Sequence, residues 1–309
     1  MIGSHSRGKA VPILAVVTVV VAAGGFYAAR RAHAALVLSH VAGGRATGCS
    51  LVQSFEGDVL FQAQTAAASE QWRSSRQAEK DGNGFARWDT PQGSFWMPAA
   101  TGADLLYDLA EQQRNIYGTG EMAVHSGDVV LDCGANIGVY TRKSLNAGAK
   151  LVVAIEPAPE NVECLRRNFA REIEAGRVIV YPKGVWNRDD VLTLNVDPKN
   201  SARDSFVVAV GPGALQVPLT TIDKLVAELH LARVDQIKMD IEGAEQKAIA
   251  GARDTIWRFH PRMALCVYHQ KDDPVAVPRM VQQIHSGYRT KMTCLATPEH
   301  IIPEVALFY

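Results

Sequence analysis

No C-x-x-C pair occurs among the five cysteines, at 49, 133, 164, 266 and 294, and no Cys/His cluster has zinc spacing. A structural zinc site is therefore not expected, and the scattered thiols fit a reducing compartment. Cys133 and Cys266 fall in expected buried strands, where cysteine acts as a small hydrophobe. An excess of either charge is also missing. The 32 Lys and Arg balance the 32 Asp and Glu, so no global basic field marks nucleic acid as a partner. There is no internal repeat, and no low-complexity tract beyond one apolar segment near the start. What remains is a 309-residue chain, 47% apolar and 21% charged. That is an ordinary globular composition, enough for one large domain or one domain with additions.

The segment Val11 to Ala29 holds no charge, and its length is near the roughly 20 residues that cross a bilayer as a helix. Ala32-His33-Ala34 matches a signal-cleavage pattern. However, the apolar run exceeds the usual length of about 7 to 15 residues, and Arg30 and Arg31 separate it from the site. The expectation is an uncleaved transmembrane helix, with residues 1–34 forming a membrane anchor and its flanks. Arg7 and Lys9 precede it, so basic residues at both ends leave its orientation undetermined by charge.

Residues 35–103 read as an extension of helix and short strands. Gln62 to Lys80, polar and alanine-rich without glycine or proline, reads as a helix, broken by Asp81-Gly82-Asn83-Gly84. Phe85 to Met97 reads as two strands around Pro91-Gln92-Gly93. Its aromatics Phe85, Trp88, Phe95 and Trp96 either line an acceptor pocket or pack a hairpin on the main domain. Asp104 to Ile116 reads as a helix leading into a domain over 104–309. There, strands are expected at Val129–Cys133, Leu151–Ile155, Val178–Tyr181, Gln236–Met239 and Met263–Val267. Helices are expected at Val139–Ala147, Glu160–Glu174, Thr221–Leu231 and Ala244–Arg258. Such alternation is the pattern of an α/β fold with a doubly wound, mostly parallel sheet. Alternating apolar residues at Leu192, Leu194, Val196 and then Phe206, Val208, Val210 suggest an inserted hairpin. Thr290–Leu295 and Val305–Tyr309 suggest a final antiparallel pair.

The stretch VVLDCGANIGVYT, Val129 to Thr141, places a glycine-bearing turn between a strand ending in an acid and a helix. Open α/β sheets bind ligands at such strand ends. The turn has Gly134, Asn136 and Gly138 but lacks the G-x-G-x-x-G of a dinucleotide site. Asp132 before it suits a cationic ligand better than a pyrophosphate. S-adenosylmethionine, with a sulfonium, an ammonium and no phosphate, meets that requirement. Glu156 ends the next strand, 24 positions after Asp132, where it can accept from both ribose hydroxyls or simply favour a helix N-terminus.

Asp240, Glu242 and Glu245 follow the fourth strand, whose tip neighbours the first across the switch point. Asp240 and Glu242 are placed to hold the methionine end or orient an acceptor hydroxyl. Glu245 suits the start of a helix. The acidic trio also invites a divalent ion, although no metal is assigned. His269 ends the fifth strand, where it reads either as the base that takes a hydroxyl proton or as a surface residue. Asp272 and Asp273 read as a helix cap before Pro274. Trp186 either stacks on the purine or packs under the hairpin.

Together the runs GDVVLDCGANIGVYT, IEPAPEN, KMDIEGAEQKAIAGA and ALCVYHQKDD resemble the FkbM family of S-adenosylmethionine-dependent methyltransferases, over about residues 104–309. The resemblance implies a class I methyltransferase, Rossmann-like fold of seven strands with the last antiparallel. It implies methylation of a hydroxyl on a sugar, lipid-linked glycan or secondary metabolite. By position, Asp132, Gly134, Asn136, Gly138 and Glu156 would hold the cofactor, and Asp240, Glu242 and His269 would border the acceptor. The expected partners are a small-molecule or glycan acceptor and, through the anchor, a membrane. The supply of S-adenosylmethionine inside cells would put the catalytic domain in the cytoplasm. Two other readings compete: a nicotinamide-dependent oxidoreductase, disfavoured by the glycine spacing, and a non-catalytic anchored scaffold. The oligomeric state is not readable.

Overall fold

The computed structural model describes residues 31–44, 48–196, 204–207 and 213–309. The apolar segment 11–29 lies outside them. Among the described residues no helix is long and apolar enough to cross a membrane, so the expected anchor has no support there.

Helices α1 (31–42) and α2 (Leu51–Ser74) precede a small antiparallel sheet of β1 (Arg76–Lys80), β2 (Phe85–Thr90) and β3 (Gly93–Pro98). Next come α3 (Gly102–Gln113), β4 (Val129–Cys133), α4 (Val139–Asn146) and β5 (Leu151–Ile155). α5 (Pro159–Asn168), α6 (Ala170–Glu174) and β6 (Val178–Tyr181) follow. An insertion carries β7 (Gly184–Val185), β8 (Asp190–Val196) and β9 (Gly213–Thr220). The chain then forms α7 (Ile222–Glu228), β10 (Gln236–Met239), α8 (Glu245–Ala250) and α9 (Arg253–Phe259). It ends with β11 (Arg262–Cys266), α10 (Asp273–Ile284), β12 (Thr290–Ala296) and β13 (Ile301–Phe308).

The main sheet has the order β12-β13-β11-β10-β4-β5-β6. β13 runs antiparallel to both of its neighbours, while β11, β10, β4, β5 and β6 pair in parallel. This is the expected class I methyltransferase arrangement. The chain winds one way from β4 through β5 to β6 and the other way from β10 through β11. The switch point therefore falls between β4 and β10, where a crevice opens at the strand ends. Every residue of β4 and β10 is buried, as expected of strands covered on both faces.

The N-terminal extension departs from expectation. A capping box at Ser50 and Gln53 starts α2 at Leu51 and not near Gln62. The helix ends at Ser74, and 76–80 is a strand. Asp81 Oδ1 accepts from the backbone N–H groups of Asn83 and Phe85, closing a turn that folds β1 back along β2. Tertiary pairing thus overrides local helix preference. β2 and β3 form the expected hairpin. Phe95 packs with Leu105, Leu109, Val139 and Cys164, and the Arg167 guanidinium lies 4.4 Å from the Phe85 ring centre and 5.0 Å from that of Trp96. These aromatics fasten the hairpin to α5 and do not line a pocket at the switch point.

The cysteine reading is corrected. Cys49 and Cys294 are joined by a disulfide across 245 positions, tying the start of α2 to β12. Such a bond persists in oxidising surroundings, against the reducing compartment expected from spacing. Two expected helices are broken. The 160–174 helix divides at the buried Phe169. The 244–258 helix divides at Gly251, where an added Cβ would lie 2.1 Å from the Trp186 carbonyl oxygen. The inserted hairpin is present, with β9 as the partner of β8, where 206–210 was the expected partner. Of that span, 208–210 lie outside the described residues, and Phe206 turns into the crevice described below.

Candidate active site

The turn after β4 is shaped by close approach. Gly134 has φ +75°, and a Cβ there would lie 1.9 Å from the Asp240 carbonyl oxygen. Only glycine lets the β4 and β10 tips meet. The crevice beside it, about 510 Å³ of space partly open to solvent, is lined by Gly134, Asn136, Glu156, Phe206, Asp240 and Glu242. A second recess shares Gly134, Asn136 and Asp240, and adds Glu111, Tyr117 and Lys238. Asp240 thus borders both spaces.

The backbone N–H groups of the turn all have partners. Gly134 and Ala135 donate to the Ile155 carbonyl, and Gly138 donates to that of Ala135. Asn136 N–H donates to Glu156 Oε2 at 2.9 Å, and Ile137 N–H to the Asn136 side chain. A phosphate at this turn would find no N–H group free, unlike the usual helix N-terminal anion site. Among the described residues, the carboxylates of Glu156, Asp204, Asp240 and Glu242 and a single ammonium, Lys183, line the crevice. The lining favours a cation. Glu156 Oε1 also accepts from Ala158 N–H at 3.0 Å, so its carboxylate is fixed at the end of β5.

Two expected cofactor residues do not line either space. Asp132 is fully buried behind the turn, accepting from Thr141 Oγ1 at 2.7 Å and paired with Lys238 Nζ at 3.4 Å. Gly138 serves packing, since a Cβ there would lie 2.2 Å from Phe169 Cε2. Lys238 also donates to the Gly134 carbonyl at 2.7 Å, holding the turn from beneath. Trp186 packs edge-on to Phe206 and does not border the crevice.

Asp240, Glu242 and His269 do come together. His269 Nε2 lies 3.5 Å from Asp240 Oδ1 and 3.4 Å from Glu242 Oε1, and Nδ1 lies 2.9 Å from Glu245 Oε1. Glu245 is fully buried and also takes the Ile241 N–H at 3.0 Å, so it positions both the histidine and the loop. Burial alone would push the His269 ring down, but Glu242, Glu245 and Asp240 outweigh it and hold its pKa well above the ordinary value. Asp240 is opposite in sign. Burial would raise it, yet Lys238, His269 and the Tyr117 hydroxyl, 2.7 Å from Oδ2, keep it low. Glu242 is raised by burial and sits at φ +54°, while Asn136 is at φ +50°. Both are left-handed conformations uncommon outside glycine. Glu111, unanticipated from sequence, is pushed up to about 8 by burial and by Asp108 and Asp240.

The methyltransferase FkbM domain matches residues 132–290, more than half of the chain. The 31-O-demethyl-FK506 methyltransferase FkbM of Streptomyces tacrolimicus is 27% identical over 184 residues, covering 50% of this chain and 70% of that one. A solved methyltransferase FkbM from Methylobacillus flagellatus KT is 19% identical with a TM-score of 0.49, covering 82% of this chain and 60% of that chain. This chain thus spans less than two thirds of that protein. A Streptococcus mutans protein assigned as a methyltransferase, solved in complex with SAH, is 10% identical with a TM-score of 0.41. It covers 64% of this chain and 95% of that one. The matched domain takes in Gly134, Asn136, Glu156, Asp240 and Glu242, which line the crevice, and the chain belongs to the methyltransferase FkbM domain family.

Proposed function

We propose that this protein transfers a methyl group from S-adenosylmethionine to a hydroxyl oxygen of a small-molecule or glycan acceptor. The observation that carries the reading is the turn at 134–138, with every N–H engaged and acids around it. It suits a cationic, phosphate-free cofactor and counts against a nicotinamide dinucleotide. The oxygen acceptor is suggested by the Streptomyces relative, which is named for a 31-O-methylation.

When bound, S-adenosylmethionine supplies a methyl group on a sulfonium that leaves as a neutral thioether. Glu156, Gly134 and Asn136 would hold it. Asp240, ionised and shared by the two recesses, aligns the acceptor hydroxyl and accepts its proton as the new O–C bond forms. His269, held against Glu245, positions Asp240 and Glu242 and does not itself serve as base. The hairpin aromatics do not contribute.

The test is transfer of labelled methyl from S-adenosylmethionine to a panel of sugars, a lipid-linked glycan and a macrolide. With a productive acceptor, Asp240→Asn should lower kcat by about 10²–10⁴-fold while cofactor affinity is retained. Full turnover in Asp240→Asn would remove Asp240 as base. Labelling of nitrogen or carbon acceptors alone would remove the oxygen assignment.

A further inference from the structure

We infer that Asp240, Glu242 and His269 form a binding site for a divalent first-row metal ion. One donor atom from each residue lies within 4.8 Å of the others. The two measured edges, 3.5 and 3.4 Å from His269 Nε2 to Asp240 Oδ1 and Glu242 Oε1, match an ion. For metal–ligand bonds of about 2.1 Å, neighbouring donors stand roughly 3.0 Å apart in octahedral and 3.4 Å apart in tetrahedral geometry.

A second observation points the same way. The His269 side chain is 6% exposed, and its Nε2 has no hydrogen-bond partner although it is aimed between two carboxylates. An unsatisfied buried nitrogen is costly, and a metal ion that displaces the ring proton would satisfy it and neutralise the two carboxylates beside it. The other ring nitrogen faces buried Glu245 at 2.9 Å. That carboxylate–histidine arrangement fixes the ring so that its far nitrogen is presented to a metal. Asp240 is further held by Tyr117 through Oδ2, while Oδ1, which also accepts a long hydrogen bond of 3.4 Å from the Tyr268 hydroxyl, faces His269.

The donor set of two carboxylate oxygens and one imidazole suits Mn²⁺, Fe²⁺ or Zn²⁺ better than a soft ion. His269 closes the back of the site. Asp240 and Glu242, 22% and 24% exposed, line the crevice. Three protein ligands leave coordination positions open on that side. If the methyl-transfer reading holds, those positions would take the acceptor hydroxyl and seat it beside Asp240.

The test is binding of Mn²⁺ alone to the full chain after chelator treatment, followed by the loss of the free-ion electron paramagnetic resonance signal. The expected result is one saturable ion per chain, displaced by Zn²⁺, with nitrogen coupling in the spin-echo spectrum that disappears in His269→Ala. Glu242→Gln, at the rim, should weaken binding by more than about 10-fold, and Glu245→Gln by about 10–100-fold through the ring. Absence of saturable binding to chain that is folded by circular dichroism would overturn the site. Binding unchanged in Glu242→Gln, or nitrogen coupling that persists in His269→Ala, would overturn it equally. Because the readout is ion binding, its failure leaves the methyl-transfer reading standing.

Discussion

Lys238→Met isolates the buried charge beneath the active-site turn. Lys238 and Asp132 are 6% and 0% exposed and stand 3.4 Å apart, in register on neighbouring strands. Removing the ammonium leaves the Asp132 carboxylate buried with Thr141 as its remaining hydrogen-bond donor and frees the Gly134 carbonyl. Breaking one side of a buried pair costs about 3–5 kcal/mol. At roughly 2–4 °C per kcal/mol for a domain of this size, Tm should fall by about 6–20 °C. The double variant Asp132→Leu/Lys238→Met should recover most of that loss, because no charge is left buried.

The sign with pH is fixed. Burial already pushes the Asp132 carboxyl up, with Lys238 and Thr141 opposing it. Without Lys238 the folded form holds its proton over a wider range than the unfolded form. The deficit is therefore largest at neutral pH and shrinks as pH falls toward the ordinary carboxyl value. Urea unfolding at pH 5 and 7.5 reads this directly. A loss below about 1 kcal/mol, equal losses at the two pH values, or a double variant no better than the single one would refute the reasoning.

Three further expectations follow from the geometry. Gly134→Ala, with its Cβ 1.9 Å from the Asp240 carbonyl oxygen and φ +75°, should cost more than about 1 kcal/mol and abolish cofactor binding; a thermal melt and a titration of native stability would expose the idea if both were unchanged. Glu111, raised from 4.5 to about 8, binds its proton more tightly when folded, so its contribution is fully present below pH 4.5 and is lost as pH rises to about 8. Glu111→Gln should flatten that decline and exceed wild type in stability at pH 8.5, and parallel pH–stability curves would count against the assignment. Reduction of Cys49–Cys294, which closes a loop of 245 positions, should lower stability by up to about 5 kcal/mol. A Cys49→Ala/Cys294→Ala variant should match the reduced protein, and a Tm indifferent to reductant would show that the bond does not form.

Much of the central sheet is legible because its strands are covered on both faces. β4, β5, β6 and β10 are apolar runs apart from Asp132, Gln236 and Lys238, and their ends fall where expected. Motifs at the ends of these strands bring Gly134, Asn136 and Glu156 to one crevice, with Asp240 and Glu242 across from them. Lys238 was readable in principle. A lysine inside a four-residue buried strand needs a buried acid, and Asp132 is the acid on the adjacent strand. Glu111 and Tyr117 were not readable, since they come to the recess beside Asp240 from α3 and the loop after it without any local motif. Asp132 and Gly138 stand in the motif yet lie behind the crevice, beside Lys238 and Phe169, a placement that spacing alone does not reveal. The disulfide joins residues 245 apart, and only the docking of α2 on β12 brings them together.

Isothermal titration of S-adenosylhomocysteine and NADH into the full chain, wild type and Glu156→Ala, tests the central claim most directly. Wild type should bind S-adenosylhomocysteine at one site and not bind NADH. Loss of charge-assisted hydrogen bonds at Glu156 should weaken S-adenosylhomocysteine by about 10–100-fold. Binding of NADH alone, or S-adenosylhomocysteine binding indifferent to Glu156→Ala in folded protein, would contradict the account.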